Sequence, residues 1–372
     1  MQLFKLKTTI DQFDTFADFA KAFNLGEKDL VITNDFLYEP FMKACHLKCH
    51  FVMQEKYGLG EPSDEMMNKI LLNVQGKDFE RVIAIGGGTV IDISKLFVLK
   101  GLKDDVLRAF DRQIPLEKEK QLIVIPTTCG TGSEVTNISI AEIKSRGTKM
   151  GLADDAIVAD NAVIIPELLK GLPFKFYACS AIDALIHAVE SYVSPKANPY
   201  TELFSEAAWR IIIDVFRQIK EKGEEYRFEV MGKMIMASNF AGIAFGNAGV
   251  GAVHALSYPL GGAYHVPHGE ANYQFFTEVF MAYERKNPNG RIAELKQKLS
   301  KELQCTPEEV FAEIDHLLSA LISKNPLHTY GMKEEEIEGF ADAVLATQQR
   351  LLANNYVALS RDEIRDIYKK LF

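Results

Sequence analysis

The sequence predicts an α/β domain built on a parallel sheet, followed by an all-α domain. Three observations carry this. Up to about residue 170, short β-branched runs that are almost continuously apolar alternate with helical stretches, as strands covered on both faces do. Beyond that point apolar residues recur at helical spacing and strand candidates disappear. The chain has 372 residues, 47% hydrophobic and 25% charged, long enough for two cores and unlike a disordered chain.

The strands are read in order as DLVITN (29–34), HFVM (50–53), RVIAIGGG (81–88) and QLIVIPTT (121–128). Between them, SDEMMNKILLNV (63–74) has helical spacing, with Ser63 as N-cap and Glu65 in the first turn. Alternating strands and helices imply βαβ units and a doubly wound sheet. TNISIAEI (136–143) and NAVIIP (161–166) add further β-like runs. Pro173 and Phe174 then open the helical half, so the domains are placed at 1–170 and 171–372. Segments 178–193, 205–219 and 308–322 carry helical periodicity. So does 334–346, where Ile337, Phe340, Ala341, Val344 and Leu345 form one stripe.

Composition narrows the function. A net charge of −9 argues against nucleic acid as the partner, because phosphate binding needs a basic surface. No run approaches the roughly 18 apolar residues of a membrane span, and MQLFKLKTTIDQF lacks a signal-peptide core. Five unevenly spaced cysteines suit a reducing compartment. A soluble, cytoplasmic protein is expected.

Gly86-Gly87-Gly88-Thr89 links the strand RVIAI to the helical pattern VIDISKLFVL. Such a turn leaves backbone N–H groups at a helix start for a phosphate; read alone, it is equally a tight turn. Asp92, one turn in, either accepts a hydrogen bond from a cofactor or suits the helix dipole. A second strand end, Pro126-Thr127-Thr128-Cys129-Gly130-Thr131-Gly132-Ser133-Glu134, again joins hydroxyls and glycines. Ligands of open α/β sheets bind beyond the C-terminal strand ends, so the pair suggests one diphosphate gripped twice. Cys129 is read as a bystander.

Asp183 and His187 lie four apart in a helical pattern, hence on one face. The segment 249–272 adds His254, His265 and His268, so four of the chain's eight histidines fall in these two stretches. A lone Asp–His pair of this spacing is commonly a structural hydrogen bond. Joined to the His-rich segment, it reads as a divalent-metal set suited to Fe²⁺ or Zn²⁺. Cys45, His46, Cys49 and His50 are read instead as a helix-to-strand junction.

GGGTVID, PTTCGTGSEVTN, DALIHAVESYVS and HALSYPLGGAYHVPHGEAN together resemble the iron-containing (group III) alcohol dehydrogenases. The resemblance extends to NNYVALSRDEIRDIY near the C-terminus. It implies the dehydroquinate synthase-like fold, with a dinucleotide-binding domain and a helical metal-binding, catalytic domain. The implied metal ligands are Asp183, His187, His254 and His268, holding Fe²⁺ with Zn²⁺ as the other candidate. NAD is the implied cofactor, with Gly86, Gly87, Gly88, Thr89 and Asp92 at the diphosphate. Thr127, Thr128, Thr131 and Ser133 lie along the second loop, and Lys149 faces the nicotinamide ribose. Many NAD-using members carry an acid after the strand that here ends LVIT; this chain has Asn34 there, followed by Asp35, which leaves NADP open. Where several members have a further His four residues after the third ligand, this chain has Tyr258. The additional His265 is a candidate for proton relay or for the substrate carboxylate.

EKYGLGEPSDEM, SNFAGIAFGNAGVGAVHALSYP and YHVPHGEANY resemble the branch of the family that interconverts 4-hydroxybutyrate and succinate semialdehyde. The implied reaction passes hydride between a carbinol carbon and the nicotinamide, with the metal as Lewis acid on the alkoxide. Butanol, 1,3-propanediol and lactaldehyde are alternative substrates, and a lyase of dehydroquinate synthase type is a remote one. A homodimer or larger homo-oligomer is expected, with LFKLKTT (3–9) as a strand pairing across it.

Overall fold

A computed structural model describes residues 2–372. They form two compact units, one of Leu6–Leu172 and one of Pro173–Phe372 together with the residues up to Lys5.

The first unit contains β1 (Thr9–Gln12), α1 (Phe16–Ala22), β2 (Asp29–Thr33), β3 (His50–Met53), α2 (Asp64–Val74), β4 (Arg81–Gly86), α3 (Gly88–Leu96), β5 (Gln121–Pro126), β6 (Ile138–Ile143), β7 (Thr148–Ala153) and β8 (Asn161–Ile164). Six strands make a sheet in the order β1-β8-β5-β4-β2-β3, parallel throughout. Alternate residues of each central strand enter opposite cores. Leu30, Ile32, Val82, Ala84, Leu122 and Val124 pack on one face, and Val31, Ile83, Ile85, Ile123 and Ile125 on the other. That double burial is why the strands read as unbroken apolar runs. Ser63 caps α2, its hydroxyl accepting from the Met66 N–H at 3.2 Å.

Two β-like segments lie wholly or mostly outside the main sheet. TNISIAEI does not join the main sheet; β6 pairs antiparallel with β7 in a separate ribbon. Its burial alternates, with Ala141 and Ile143 packed on the core beside α2 and α3, which is the one-face pattern of a ribbon. LFKLKTT contributes only Thr9 to a strand. Upstream, the Lys5 N–H and carbonyl are bonded to the Asn247 side chain, and Phe4 stacks on Tyr200 and Phe204. Residues 45–50 are a junction, as read. Cys45 ends a 3₁₀ turn, His46 takes the left-handed conformation, and His50 begins β3.

The second unit is helical among its described residues: α4 (Phe174–Val193), α5 (Pro199–Lys222), α6 (Arg227–Ala248), α7 (Ala252–Tyr264), α8 (His268–Lys286), and further helices at Arg291–Leu303, Val310–Ser319, Ile337–Thr347, Gln349–Leu352 and Arg361–Leu371. From Tyr177 onward α4 is buried on nearly every side, the pattern of a central helix. Asn198 starts α5 with a reciprocal cap, its side chain accepting from backbone while Thr201 reaches back. No single helix among the described residues is long and apolar enough to cross a membrane.

At the foot of the sheet a buried carboxylate is held by a partly exposed guanidinium. Asp29, 1% exposed, accepts from Arg81 Nε at 2.5 Å and Nη2 at 2.8 Å, while Arg81 also donates to the Phe23 and Asn24 carbonyls. Arg81→Leu strands a buried carboxylate and is expected to cost about 3–5 kcal/mol. Thermal unfolding would show it as a drop of several degrees; an unchanged melting temperature would contradict this account.

Candidate functional site

The second unit gathers Asp183, His187, His254 and His268, whose ligand atoms all lie within 4.8 Å of one another. Asp183 and His187 stand one turn apart on α4, His254 opens α7, and His268 opens α8. Gly269 permits that approach. A Cβ there would collide with the Cys179 carbonyl of α4, so any side chain would push the start of α8 off the α4 backbone.

Donor spacings are 3.0 Å from His187 Nε2 to His254 Nε2, 3.6 Å from Asp183 Oδ1 to His254 Nε2, 3.9 Å from Asp183 Oδ1 to His268 Nε2 and 4.0 Å from Asp183 Oδ2 to His187 Nε2. Four donors about 2.1 Å from one ion would stand about 3.4 Å apart, so the set fits a divalent cation. Three of the four side chains are buried, while that of His268 is 36% exposed and leaves one side open. Burial opposes ionisation of Asp183, yet the surrounding imidazoles hold its carboxyl far below the usual range. Burial likewise opposes charge on His254, but Asp183 and Glu190 outweigh it and raise the imidazole to about 9. A carboxylate–imidazole cluster this dry is built to neutralise positive charge. It is the only group of three or more His, Cys, Asp or Glu with metal-ligand proximity among the described residues.

Two supporting residues escaped the sequence reading. Glu190 accepts from the Val253 N–H at 2.8 Å and holds His254 Nδ1 at 2.5 Å, which turns Nε2 toward the cluster. Its position seven after Asp183 on α4 places it on the same helix face, a signal the sequence did carry. Asn272 donates to Asp183 Oδ1 at 2.7 Å and accepts from Ser257 at 2.5 Å; it lies one turn after His268. Phe245 stacks on His187 with ring centroids 4.2 Å apart.

Tyr258 lies one turn after His254, its ring centroid 6.1 Å from that of His268. His265 is exposed, in left-handed conformation at the C-cap of α7, and is not in the four-residue cluster.

In the first unit the two glycine-bearing loops are neighbours. β4 and β5 pair with Gly86 opposite Pro126, and the Thr127 N–H donates to the Gly86 carbonyl at 3.1 Å. A Cβ on Gly87 would lie 3.4 Å from the Thr128 methyl, and one on Gly88 3.2 Å from the Thr131 methyl. No side chain caps α3, whose N-cap is Gly87, so this cradle suits a diphosphate by backbone N–H groups and dipole. Thr89 Oγ1 donates to the Gly60 carbonyl at 3.0 Å, drawing loop 58–61 toward the turn. Lys149 forms an ion pair with Glu61 of that loop.

Asp92 is engaged by protein groups. Its carboxylate accepts from Ser133 Oγ at 2.8 Å and from the Ile140 N–H at 3.0 Å. Burial raises its carboxyl above the ordinary range, against the pull of Lys95. Lys95, fully buried, donates to Ser133 Oγ at 2.7 Å, Thr136 Oγ1 at 3.1 Å and the Ile138 carbonyl at 2.6 Å. Burial lowers its ammonium to about 8, with Asp92 opposing. This pair fixes the second loop to α3. Asn34 follows β2 directly and is buried; its amide bonds Gln54 and Glu55.

The profile described as iron-containing alcohol dehydrogenase matches residues 8–166, and that of the Fe-containing alcohol dehydrogenase family, C-terminal, matches 177–372. The chain belongs to the iron-containing alcohol dehydrogenase family. It is 55% identical to the 4-hydroxybutyrate dehydrogenase of Clostridium kluyveri over 372 residues, covering all of both chains. It is also 35% identical to long-chain-alcohol dehydrogenase 1 of Geobacillus thermodenitrificans, across 84% of this chain and 80% of that one. The crystal structure of a 1,3-propanediol oxidoreductase shares the fold, with TM-score 0.86, 23% identity and full coverage of both chains. So does a sulfoacetaldehyde reductase from Bifidobacterium kashiwanohense in complex with NAD+, with TM-score 0.85, 24% identity and coverage of 100% and 99%. The chain is thus an oxidoreductase acting on a small alcohol or aldehyde.

Glu190→Gln should weaken metal binding about 10- to 100-fold, the usual cost of losing a partner that orients a metal-binding imidazole. Competition with a chelator measures this, and circular dichroism should stay unchanged. Undiminished metal affinity would remove Glu190 from the site.

Proposed function

We propose that the chain is an NAD(H)-linked 4-hydroxybutyrate dehydrogenase, with Asp183, His187, His254 and His268 holding Fe²⁺, or Zn²⁺ in its place. The observation that carries the substrate is the 55% identity over full length to the C. kluyveri enzyme. Support for the metal is the dry, four-donor cluster. Support for the dinucleotide is the uncapped start of α3 against the threonine-rich second loop.

When bound, the metal supplies a Lewis acid toward the alcohol or carbonyl oxygen, and NAD the hydride acceptor. The chain's residues do the rest. Asp183, His187 and His254 hold their donor atoms away from water, and the partly exposed His268 marks the side assigned to substrate. Glu190 and Asn272 keep the donor atoms aimed inward. The N–H groups around Gly87 and Gly88 are assigned to the diphosphate. Thr89, Thr127, Thr128, Thr131 and Ser133 line it, with Asp92 acting through Ser133. Lys149 would have to exchange Glu61 for the nicotinamide ribose. Tyr258 and His265 are the candidates for the proton relay and for the substrate carboxylate. A homo-oligomer is part of the same reading, supported by apolar exposure at Leu3, Leu6 and Leu203. A cytoplasmic site is part of the same reading, in keeping with five cysteines that form no disulfide among the described residues.

Following NADH with a panel of aldehydes tests this directly. Succinate semialdehyde is expected to give the highest kcat/KM, and His254→Ala to lower it at least about 100-fold with loss of metal. A preference for butanal or lactaldehyde would overturn the substrate, and no NADH oxidation by metal-loaded protein would overturn the reaction. His265→Ala separates its own role: unchanged turnover of both carboxylated and plain aldehydes would dismiss it.

A further inference from the structure

The sequence leaves cofactor choice open, because Asn34 stands where an acid commonly meets the adenosine ribose and an amide does not repel a 2′-phosphate. The structure supplies a charge from the neighbouring strand. β2 and β3 run parallel with Thr33 opposite Met53, so Asn34 and Gln54 leave the sheet side by side, and Glu55 follows. Glu55 Oε2 accepts from Asn34 Nδ2 at 2.9 Å, and its Oε1 accepts from the Asp35 N–H at 2.5 Å. Asn34 Nδ2 also donates to Gln54 Oε1 at 3.2 Å.

Two consequences follow from counting donors. An amide nitrogen carries two hydrogens, and both are taken here, one by Gln54 and one by Glu55. Asn34 therefore offers a ligand only its Oδ1, an acceptor, as a carboxylate would. The negative charge that an acid at 34 would have brought lies on Glu55 instead, about one hydrogen bond away. Asp35 adds a second carboxylate, but Lys56 faces it at 3.6 Å, whereas Glu55 has no ion pair among the described residues.

We propose that Glu55, acting with the acceptor Oδ1 of Asn34, selects NAD over NADP at the adenosine ribose. Paired acceptors suit the two hydroxyls of an unmodified ribose. A 2′-phosphate, with a charge of about −1.5 to −2, would meet a carboxylate and no free donor from Asn34. The inference rests on the dinucleotide reading given above, but not on the identity of the alcohol. The plainer role for Glu55 is to cap the short helical turn that starts at Asp35. That role predicts a loss of stability with no change in cofactor preference.

Equilibrium binding of NADH and NADPH to the full chain, read by nucleotide fluorescence, separates the two. The unmodified protein should prefer NADH. Glu55→Gln keeps the shape, removes the charge, and should narrow the preference at least tenfold, mainly by tighter NADPH binding. Adding Asn34→Asp to it should restore the preference. A preference unchanged within twofold in folded Glu55→Gln overturns the proposal and leaves the capping role. Salt gives a second reading that needs no variant: repulsion predicts that the preference narrows as ionic strength rises, and indifference to salt overturns it. Equal binding of both cofactors, or a preference for NADPH, overturns the proposal while the dinucleotide reading stands; binding of neither overturns both.

Discussion

The second unit is organised around the burial of one carboxylate. Asp183 is almost wholly withdrawn from water, and an isolated carboxylate in that setting would protonate or destabilise the fold by several kcal/mol. The chain surrounds it with three imidazoles and an amide drawn from three helices. Each of these partners is itself held: His254 by Glu190, Asn272 by Ser257, His187 by the face of Phe245 and His268 by Asn272. Once α4 must carry Asp183 and His187 inward, α7 and α8 have to begin beside it. Gly269 records how close that is. The same arrangement that makes the carboxylate tolerable gives a cation four donors on three sides.

The first unit solves the opposite problem. Its sheet is apolar on both faces, so polar chemistry is confined to strand ends. At the N-terminal end of β2, Asp29 is neutralised by a bidentate Arg81. At the C-terminal ends the polar groups are set out for use. Glycines stand where loop meets loop after β4 and β5, hydroxyls lie along the second loop, and Asn34 and Glu55 follow β2 and β3. Buried Lys95 and Asp92 fasten the second loop to α3, so that loop's shape is set from beneath by charge and hydrogen bonds.

What the sequence made legible follows from this division. Double-sided burial leaves a strong signal, and β2, β4 and β5 were readable as strands to within a residue or two. So was the Asp183–His187 pair, because helical spacing alone puts two side chains on one face. TNISIAEI was legible as a β-like run but not as a ribbon, because alternation and β propensity are local, whereas the choice between the main sheet and a separate ribbon is made by distant partners. The Lys5 backbone is claimed by Asn247, 242 residues away, a partner that no local pattern announces. Asn272 was visible only as a helical polar residue. Glu55 carried no signal at all, since its meaning depends on β2 and β3 lying in register.

Charge shows how the two levels connect. The chain carries −9 overall, yet both the dinucleotide and a carboxylated alcohol are anions. Net charge therefore cannot be the source of attraction, and the structure offers local ones. The start of α3 exposes a positive dipole end with no capping side chain, and the buried ammonium of Lys95 lies beneath the loop opposite it. Lys149, the cation most readily assigned to the cofactor from sequence, is paired with Glu61. Its contribution to binding would thus be the difference between two ion pairs, smaller than a free lysine would give. An acidic surface with such local exceptions favours selective binding. Anions are repelled in general and accepted where oriented N–H groups or a bound cation outweigh the field, and Glu55 adds discrimination by placing repulsion where only a 2′-phosphate would meet it.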